Sequence, residues 1–197
     1  MDDLIFREQD HVYLLEGEEL PCVSDLCRFL HREIYKNAPA WQMEAAAIRG
    51  TAVHAASQDL DRVGTATIEE AYAGYLLAYS RFLKEHSISW QLSERSFYHS
   101  QYRYAGTVDR YGTVDGHTAL VDFKTTYTVY KPLFRASLNL YRMMLEDNGF
   151  PVDRLYILHL KQDGRYRLVA IEVDSELPLA LITLHKACKR KRRRKNV

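Results

Sequence analysis

Residues 106 to 126, GTVDRYGTVDGHTALVDFKTT, set three aspartates and a lysine close together. Asp115 precedes Gly116, and Asp-Gly between runs of β-branched and aromatic residues marks a two-residue type I′ hairpin turn, because both central positions need positive φ. Counting outward from that turn sets Val114 against His117, Tyr111 against Leu120 and Asp109 against Asp122. Lys124 falls opposite Thr107 on the face that carries both acids, while Val108, Val121 and Phe123 line the other, buried face. Two carboxylates opposed at about 5 Å repel unless something positive lies between them, so removing one is expected to leave the fold intact or stronger. A divalent cation is the natural occupant, and hard oxygen donors without a His/Cys cluster select Mg2+ or Mn2+ over zinc. The lysine would hold an attacking water or a phosphate oxygen. A proton shared by the acids, or a plain ion pair of Lys124 with Asp109 or Asp122, accounts for the same residues without catalysis.

The elements that must position these groups follow from periodicity. IFREQDHVYLLEGEELP reads as a short hairpin. VSDLCRFLHREI, PAWQMEAAAIRGTAVHAASQDL and TIEEAYAGYLLAYSRFLKEH place apolar residues at helical spacing, with Pro39 suited to a first turn and Gly64 to an end. From Ile88 the pattern changes to three strands, ISWQLSERSFYH, YRYAGTVDRYGTV and HTALVDFKTT. KPLFRASLNLYRMMLEDNG returns to helix and stops at Gly149. A second hairpin follows, RLYILHLKQ-DG-RYRLVAIEV, with Asp163-Gly164 as a two-residue turn, and SELPLALITLHKACKR closes as a helix. Helices before and after a mostly antiparallel sheet predict an α/β sandwich around a central meander.

At 197 residues, 47% apolar and 12% aromatic, the chain has the size and content of one compact domain with a sizeable core. It has no run long and apolar enough for a membrane span, and its acidic start lacks the layout of a secretory signal, so the expectation is a soluble, cytoplasmic protein. Three cysteines without C-x-x-C spacing argue against a disulfide framework or a zinc or iron–sulfur site and are expected to be buried small hydrophobes. One domain is expected over residues 1–185, with a basic tail over 186–197. That tail holds 8 of the 27 Lys and Arg and no acid, leaving 19 cations against 26 acids elsewhere. Its run Lys189, Arg190, Lys191, Arg192, Arg193, Arg194, Lys195 repels itself and is expected to stay mobile unless a polyanion neutralises it. It reads as a DNA-binding arm, a targeting signal or a solvated end.

GTVD at 106–109 followed by VDFKTT at 121–126 resembles the PD-(D/E)XK nuclease superfamily, most closely its RecB-like and phage exonuclease branches. RGTAVHAA at 49–56 is similar to that family's upstream helix motif, which makes His54 the histidine that supports the metal, with Gly50 one turn earlier letting the sheet or a ligand approach that face. SERSFY at 93–98 resembles the strand before the acidic hairpin and puts Glu94 at an acidic position of that branch. HVYLLEGEELPCVSDL resembles the start of phage-type members. The branch carries a helix with glutamine ahead of a tyrosine; ASLNLY supplies Tyr141 but has Ser137 where the glutamine stands, a departure that bears on substrate handling. Tyr141 would stack on or hydrogen-bond the nucleic acid, or else pack in the core.

The resemblance implies a restriction-endonuclease-like core, a central mixed sheet with an antiparallel meander flanked by helices. It implies a Mg2+- or Mn2+-dependent deoxyribonuclease of exonuclease, phage or recombination and repair type. Asp109 and Asp122 would hold the metal, His54 and Glu94 would complete its shell, and Lys124 would act on the phosphate. Tyr141, Ser137, Lys131, Arg135 and the basic run would contact DNA. No iron–sulfur cluster and no membrane are expected, and a second copy or a phage or host recombination protein would be its protein partners. The alternative is a nucleic-acid-binding module that keeps the nuclease fold without cleavage.

Overall fold

A computed structural model describes residues 4–195 of the chain, with side chains as far as Lys189. Three short strands open it: β1 (Leu4–Arg7), β2 (Val12–Leu15) and β3 (Glu18–Leu20), an antiparallel sheet in that order. The expected hairpin is therefore a three-stranded sheet, since Glu16 and Gly17, both at positive φ, turn the chain once more. Its Tyr13, Leu15 and Leu20 bury against Ala105.

Helices α1 (Val23–Leu26), α2 (Arg28–Tyr35), α3 (Ala40–Val63) and α4 (Ala73–Glu85) follow. Pro39 is the N-cap of α3 and Gly64 its left-handed C-cap at φ 77°, as their chemistry predicts. The main sheet has the order β4-β5-β6-β7-β8, from β4 (Ile88–His99), β5 (Tyr104–Val114), β6 (His117–Lys124), β7 (Arg154–Leu160) and β8 (Tyr166–Ile171). Every neighbouring pair is antiparallel except β6 with β7, which run parallel because α5 (Lys131–Asp147) carries the chain back between them.

Strand alternation gives the sheet two buried faces. Leu120, Leu155 and Ile157 pack with α1, α5 and α6 (Glu176–Lys195), while Val121, Phe123 and Leu158 pack with Val53 of α3 and Tyr79 and Phe82 of α4. The protein is an α/β fold with a mixed five-stranded sheet covered by helices on both sides. No helix among the described residues is long and apolar enough to cross a membrane.

Several sequence expectations change here. The β7–β8 connection is not a two-residue Asp163-Gly164 turn: Leu160 pairs with Tyr166 and the Lys161 N–H bonds the Arg165 carbonyl, which leaves the three residues Gln162 to Gly164 in the loop, with Gly164 alone at positive φ. Of the three cysteines only Cys27 is buried. Cys22 is half-buried beside Asp25, and Cys188 is exposed because it lies near the open end of α6. The basic run continues the backbone of α6 to Lys195; its side chains from Arg190 onward lie outside the described residues.

Candidate metal centre

The Asp115-Gly116 turn is as the sequence requires, with φ of 49° and 83° and pairing from Val114↔His117 to Arg110↔Val121. Asp115 also accepts the Ser87 N–H at 2.9 Å and bonds His86 Nδ1 at 2.6 Å, so it ties the start of β4 to the hairpin as well as turning the chain.

The ladder stops at Arg110↔Val121. Beyond it the two strands part, and an Asp109 oxygen accepts the Phe123 N–H at 2.7 Å in place of a backbone carbonyl. The expected pairs Asp109–Asp122 and Thr107–Lys124 therefore do not form. Thr107 is instead bonded to Tyr13 and Ser96, each at 2.8 Å. Val108 leaves the face of Val121 and Phe123 and joins the α5 side together with Tyr111. Between them Asp109 and Arg110 both turn toward α3 and Glu94, which breaks the period-two alternation. Glu94 sits at φ 47°, a left-handed conformation that a glutamate holds only against a local cost of about 1–3 kcal/mol.

Three groups meet at this opening. His54 of α3, Glu94 of β4 and Asp109 of β5 bring one ligand atom each within 4.8 Å of one another. His54 Nδ1 lies 3.0 Å from Glu94 Oε1 and its Nε2 lies 3.7 Å from Asp109 Oδ2. A carboxylate only accepts, so Nδ1 carries a proton and donates it to Glu94. Burial pushes the imidazolium pKa down, but Asp109 and the bonded Glu94 outweigh it and raise it to about 9. Burial pulls the Glu94 carboxyl the other way, and His54 and Arg110 overcome that to hold it below its ordinary value.

Asp122 and Lys124 stand beside this cluster on β6. Their side chains form an ion pair, with the Lys124 ammonium on the buried Asp122 Oδ2. Burial raises the Asp122 pKa to about 6, Lys124 opposes the rise and Asp109 adds to it. Burial lowers the Lys124 pKa, and Asp122 and Asp109 more than restore it, so the group stays an ammonium ion. Lys124 also lies 5.6 Å from the centre of the Phe134 ring.

The donor set fits a hard divalent cation: carboxylates of different elements crowd one place with an imidazole, and no cysteine is among them.

Arg110, which sequence reasoning passed over, organises the back of the cluster. It is fully buried, and its Nε bonds Asp61 at 2.8 Å while Nη1 bonds Glu94 at 3.0 Å and the Asp109 carbonyl at 2.7 Å. The guanidinium lies over Phe123, 5.0 Å from the ring centre. Asp61 in turn accepts the Tyr79 hydroxyl at 2.6 Å. A cation directly after the acid, inside an otherwise apolar strand, is the signal that marks it. Arg49 was also missed; its Nε donates to Thr125 Oγ1 at 3.2 Å, one residue past Lys124.

The remaining predicted residues divide. Tyr141 lies against β5: a Cβ at Gly106 would stand 2.6 Å from its ring, so the glycine of the first GTVD makes room for α5. Burial raises the Tyr141 hydroxyl pKa, and the charges of Asp122 and Asp109 add to that effect. Ser137 is half-buried and bonds back to the Phe134 carbonyl. Lys131 is exposed at the start of α5. Arg135 stands apart, paired with Asp174 at 3.0 Å and Glu172 at 3.5 Å. Gly50 meets nothing within 4 Å at its Cβ position, so the sheet does not approach it. Lys189 lines a separate cavity between β3 and α6.

An α/β protein with an acidic, histidine-bearing centre where a mixed sheet splays open is the class that fold and site define. No protein-family profile matches the chain, and no curated protein matches its sequence. Among solved structures it is similar to SSO0001, at 15% identity and a TM-score of 0.46 over 83% of this chain and 72% of that one. It is similar to a protein provisionally named an exonuclease from Eubacterium rectale, at 12% identity and a TM-score of 0.45 over 74% of this chain and 65% of that one, just under two thirds of its length. A third is the alkaline exonuclease LHK-Exo of Laribacter hongkongensis, at 17% identity and a TM-score of 0.41 over 88% of this chain and 90% of that one. Superpositions this loose carry no argument about chemistry, which rests on the site.

Proposed function

We propose that the protein is a metal-dependent deoxyribonuclease of the PD-(D/E)XK kind, an exonuclease of phage or of recombination and repair type. The observation that carries this reading is the convergence of His54, Glu94 and Asp109 within 4.8 Å, with the Asp122–Lys124 ion pair beside them. Asp109, Asp122 and His54 would hold Mg2+ or Mn2+, with Glu94 completing the shell or, through its bond to Nδ1, fixing the His54 ring. When bound, such a cation polarises the phosphodiester and makes a water acidic enough to attack.

The protein's own groups do the rest. Lys124, kept protonated between Asp122 and Asp109, places a compact positive charge where the phosphate gains negative charge. Asp122 fixes the direction of that ammonium. Arg110 holds Glu94 and the Asp109 backbone, so the first acid does not drift when β5 leaves β6.

Incubation with Mg2+ or Mn2+ and with linear and circular, single- and double-stranded DNA tests this. Consumption of linear DNA with circles untouched is expected. Cut circles would replace the exonuclease with an endonuclease. Binding without any cleavage would leave a nucleic-acid-binding module on this fold, and absence of both would overturn the reading.

A further inference from the structure

Beyond the end of β6 the chain runs through Thr125 to Tyr130 before α5 begins, and this connection walls a second polar cavity of about 240 Å3. Lys131, His159, Lys161 and Arg167 line it with Tyr127, and no acid does. Among the described residues none of Lys131, Lys161 and Arg167 forms an ion pair, whereas Arg135 and Arg142 of α5 and Arg165 of the β7–β8 connection are each paired with an acid. Asp163, the acid nearest in sequence to Lys161, is held by Arg165. Three uncompensated cations around one hollow repel one another and raise its affinity for an anion.

The cavity is joined to the metal centre by the backbone. Lys124 pairs with His159 across the parallel β6–β7 ladder. His159 Nε2 bonds the Thr126 carbonyl at 2.6 Å and pins the connection to β7. Burial, reinforced by Lys161 and Arg167, keeps that imidazole below its ordinary pKa against the opposing Thr126 bond, so it serves as a neutral donor. Tyr127 at the rim is 99% exposed, and Tyr130 is 45% exposed, so two aromatic rings stand in solvent where the connection leaves the sheet.

We infer that this cavity is a subsite for one single strand of nucleic acid, with Lys131, Lys161 and Arg167 taking backbone phosphates next to the scissile one and Tyr127 stacking on a base. The inference rests on the nuclease reading and names how that site takes its substrate. A hollow of about 240 Å3 has the volume of roughly eight waters, at about 30 Å3 each, which suits the phosphates of one strand and is far too small for a duplex. An exposed ring next to a basic groove is the pairing that single strands use, since every base offers a face to stack on.

The test reads binding without turnover. In EDTA, the full chain is titrated against labelled single-stranded and duplex DNA over a range of KCl. Joint substitution of Lys161→Gln and Arg167→Gln should lower the single-strand salt slope by about 1.4, at about 0.7 per phosphate contact. Tyr127→Ala should weaken single-strand binding by about 5- to 150-fold, the loss of about 1–3 kcal/mol of stacking, with the slope unchanged. Lys36→Gln with Arg62→Gln, which removes the same charge from exposed helix positions, should change neither. An unaltered slope in the cavity variant, an equal drop in the Lys36/Arg62 control, or a drop seen with duplex alone would overturn the subsite. A chain that cuts DNA with an unaltered slope sinks the subsite only, whereas one that binds with the expected slopes and never cuts sinks the nuclease reading.

Discussion

Asp109 accepts the Phe123 N–H at 2.7 Å, so a side chain fills the place of a backbone carbonyl where β5 and β6 separate. That bond is what lets two strands diverge around an acidic centre without leaving a buried donor unpaired.

Asp109 therefore has two duties that substitution separates. Asp109→Ala should cost about 1–3 kcal/mol of stability by stranding the Phe123 N–H, against the expectation drawn from opposed charges alone. Asp109→Asn keeps an acceptor and should stay within about 1 kcal/mol of the parent. Both should abolish metal-dependent cleavage. Urea unfolding and DNA degradation assays on the pair check this, and a stable, inactive alanine variant would remove the structural duty.

Lys124→Met keeps most of the stem over Phe134 and deletes the charge. Turnover should fall by two or more orders of magnitude, about 3 kcal/mol or more of lost transition-state stabilisation. The rise in melting temperature on adding Mn2+ should persist, because the acids remain. Unchanged turnover would reduce Lys124 to the ion-pair partner of Asp122.

Arg110→Met should destabilise the protein by about 3–5 kcal/mol, since Asp61 and Glu94 lose their shared buried counter-charge. Arg110→Lys offers one ammonium to three acceptors and should recover only part of that loss. Thermal melts with and without Mn2+ decide it: if the arginine positions Glu94, the metal-induced shift shrinks along with the stability.

His54 supplies the pH dependence. Its pKa in the folded, metal-free protein is about 9, above the ordinary 6.5, so folding favours the charged ring. The stabilisation is complete below pH 6.5 and is lost as pH rises through 9, amounting to at most about 3 kcal/mol. Metal-free urea unfolding at pH 6.5 and pH 9 should show that decline, and His54→Gln should flatten it. A parent protein equally stable at both pH values would contradict the charged His54.

Local chemistry made much of this protein legible from its sequence. Asp-Gly sets its own backbone angles, so the β5–β6 turn and its register down to Arg110 could be counted from Asp115. Pro39, Gly64 and Gly149 bound helices through steric preferences that need no tertiary partner. Asp109, Asp122 and Lys124 were legible for the same reason, since acids and a lysine in an apolar strand pattern demand an explanation.

Tertiary structure decided what those residues touch. A pairing rule extrapolated from the turn could not foresee the end of the ladder, because the splay depends on Asp109 capping Phe123 and on Arg110 being held by Asp61, a residue of α3 distant in sequence. The motif around Glu94 marks it as a candidate ligand, but its φ of 47° and its bonds to His54 and Arg110 depend on elements far apart in sequence. The need for a glycine at 106 comes from the Tyr141 ring packed against it, which local sequence does not encode. The basic hollow of Lys131, Lys161 and Arg167 draws on α5, the end of β7 and β8, whose closeness comes from the parallel β6–β7 pairing. Periodicity specifies which face of an element is apolar, and long-range contacts alone choose the partners, because they arise from packing between elements that the local sequence does not encode.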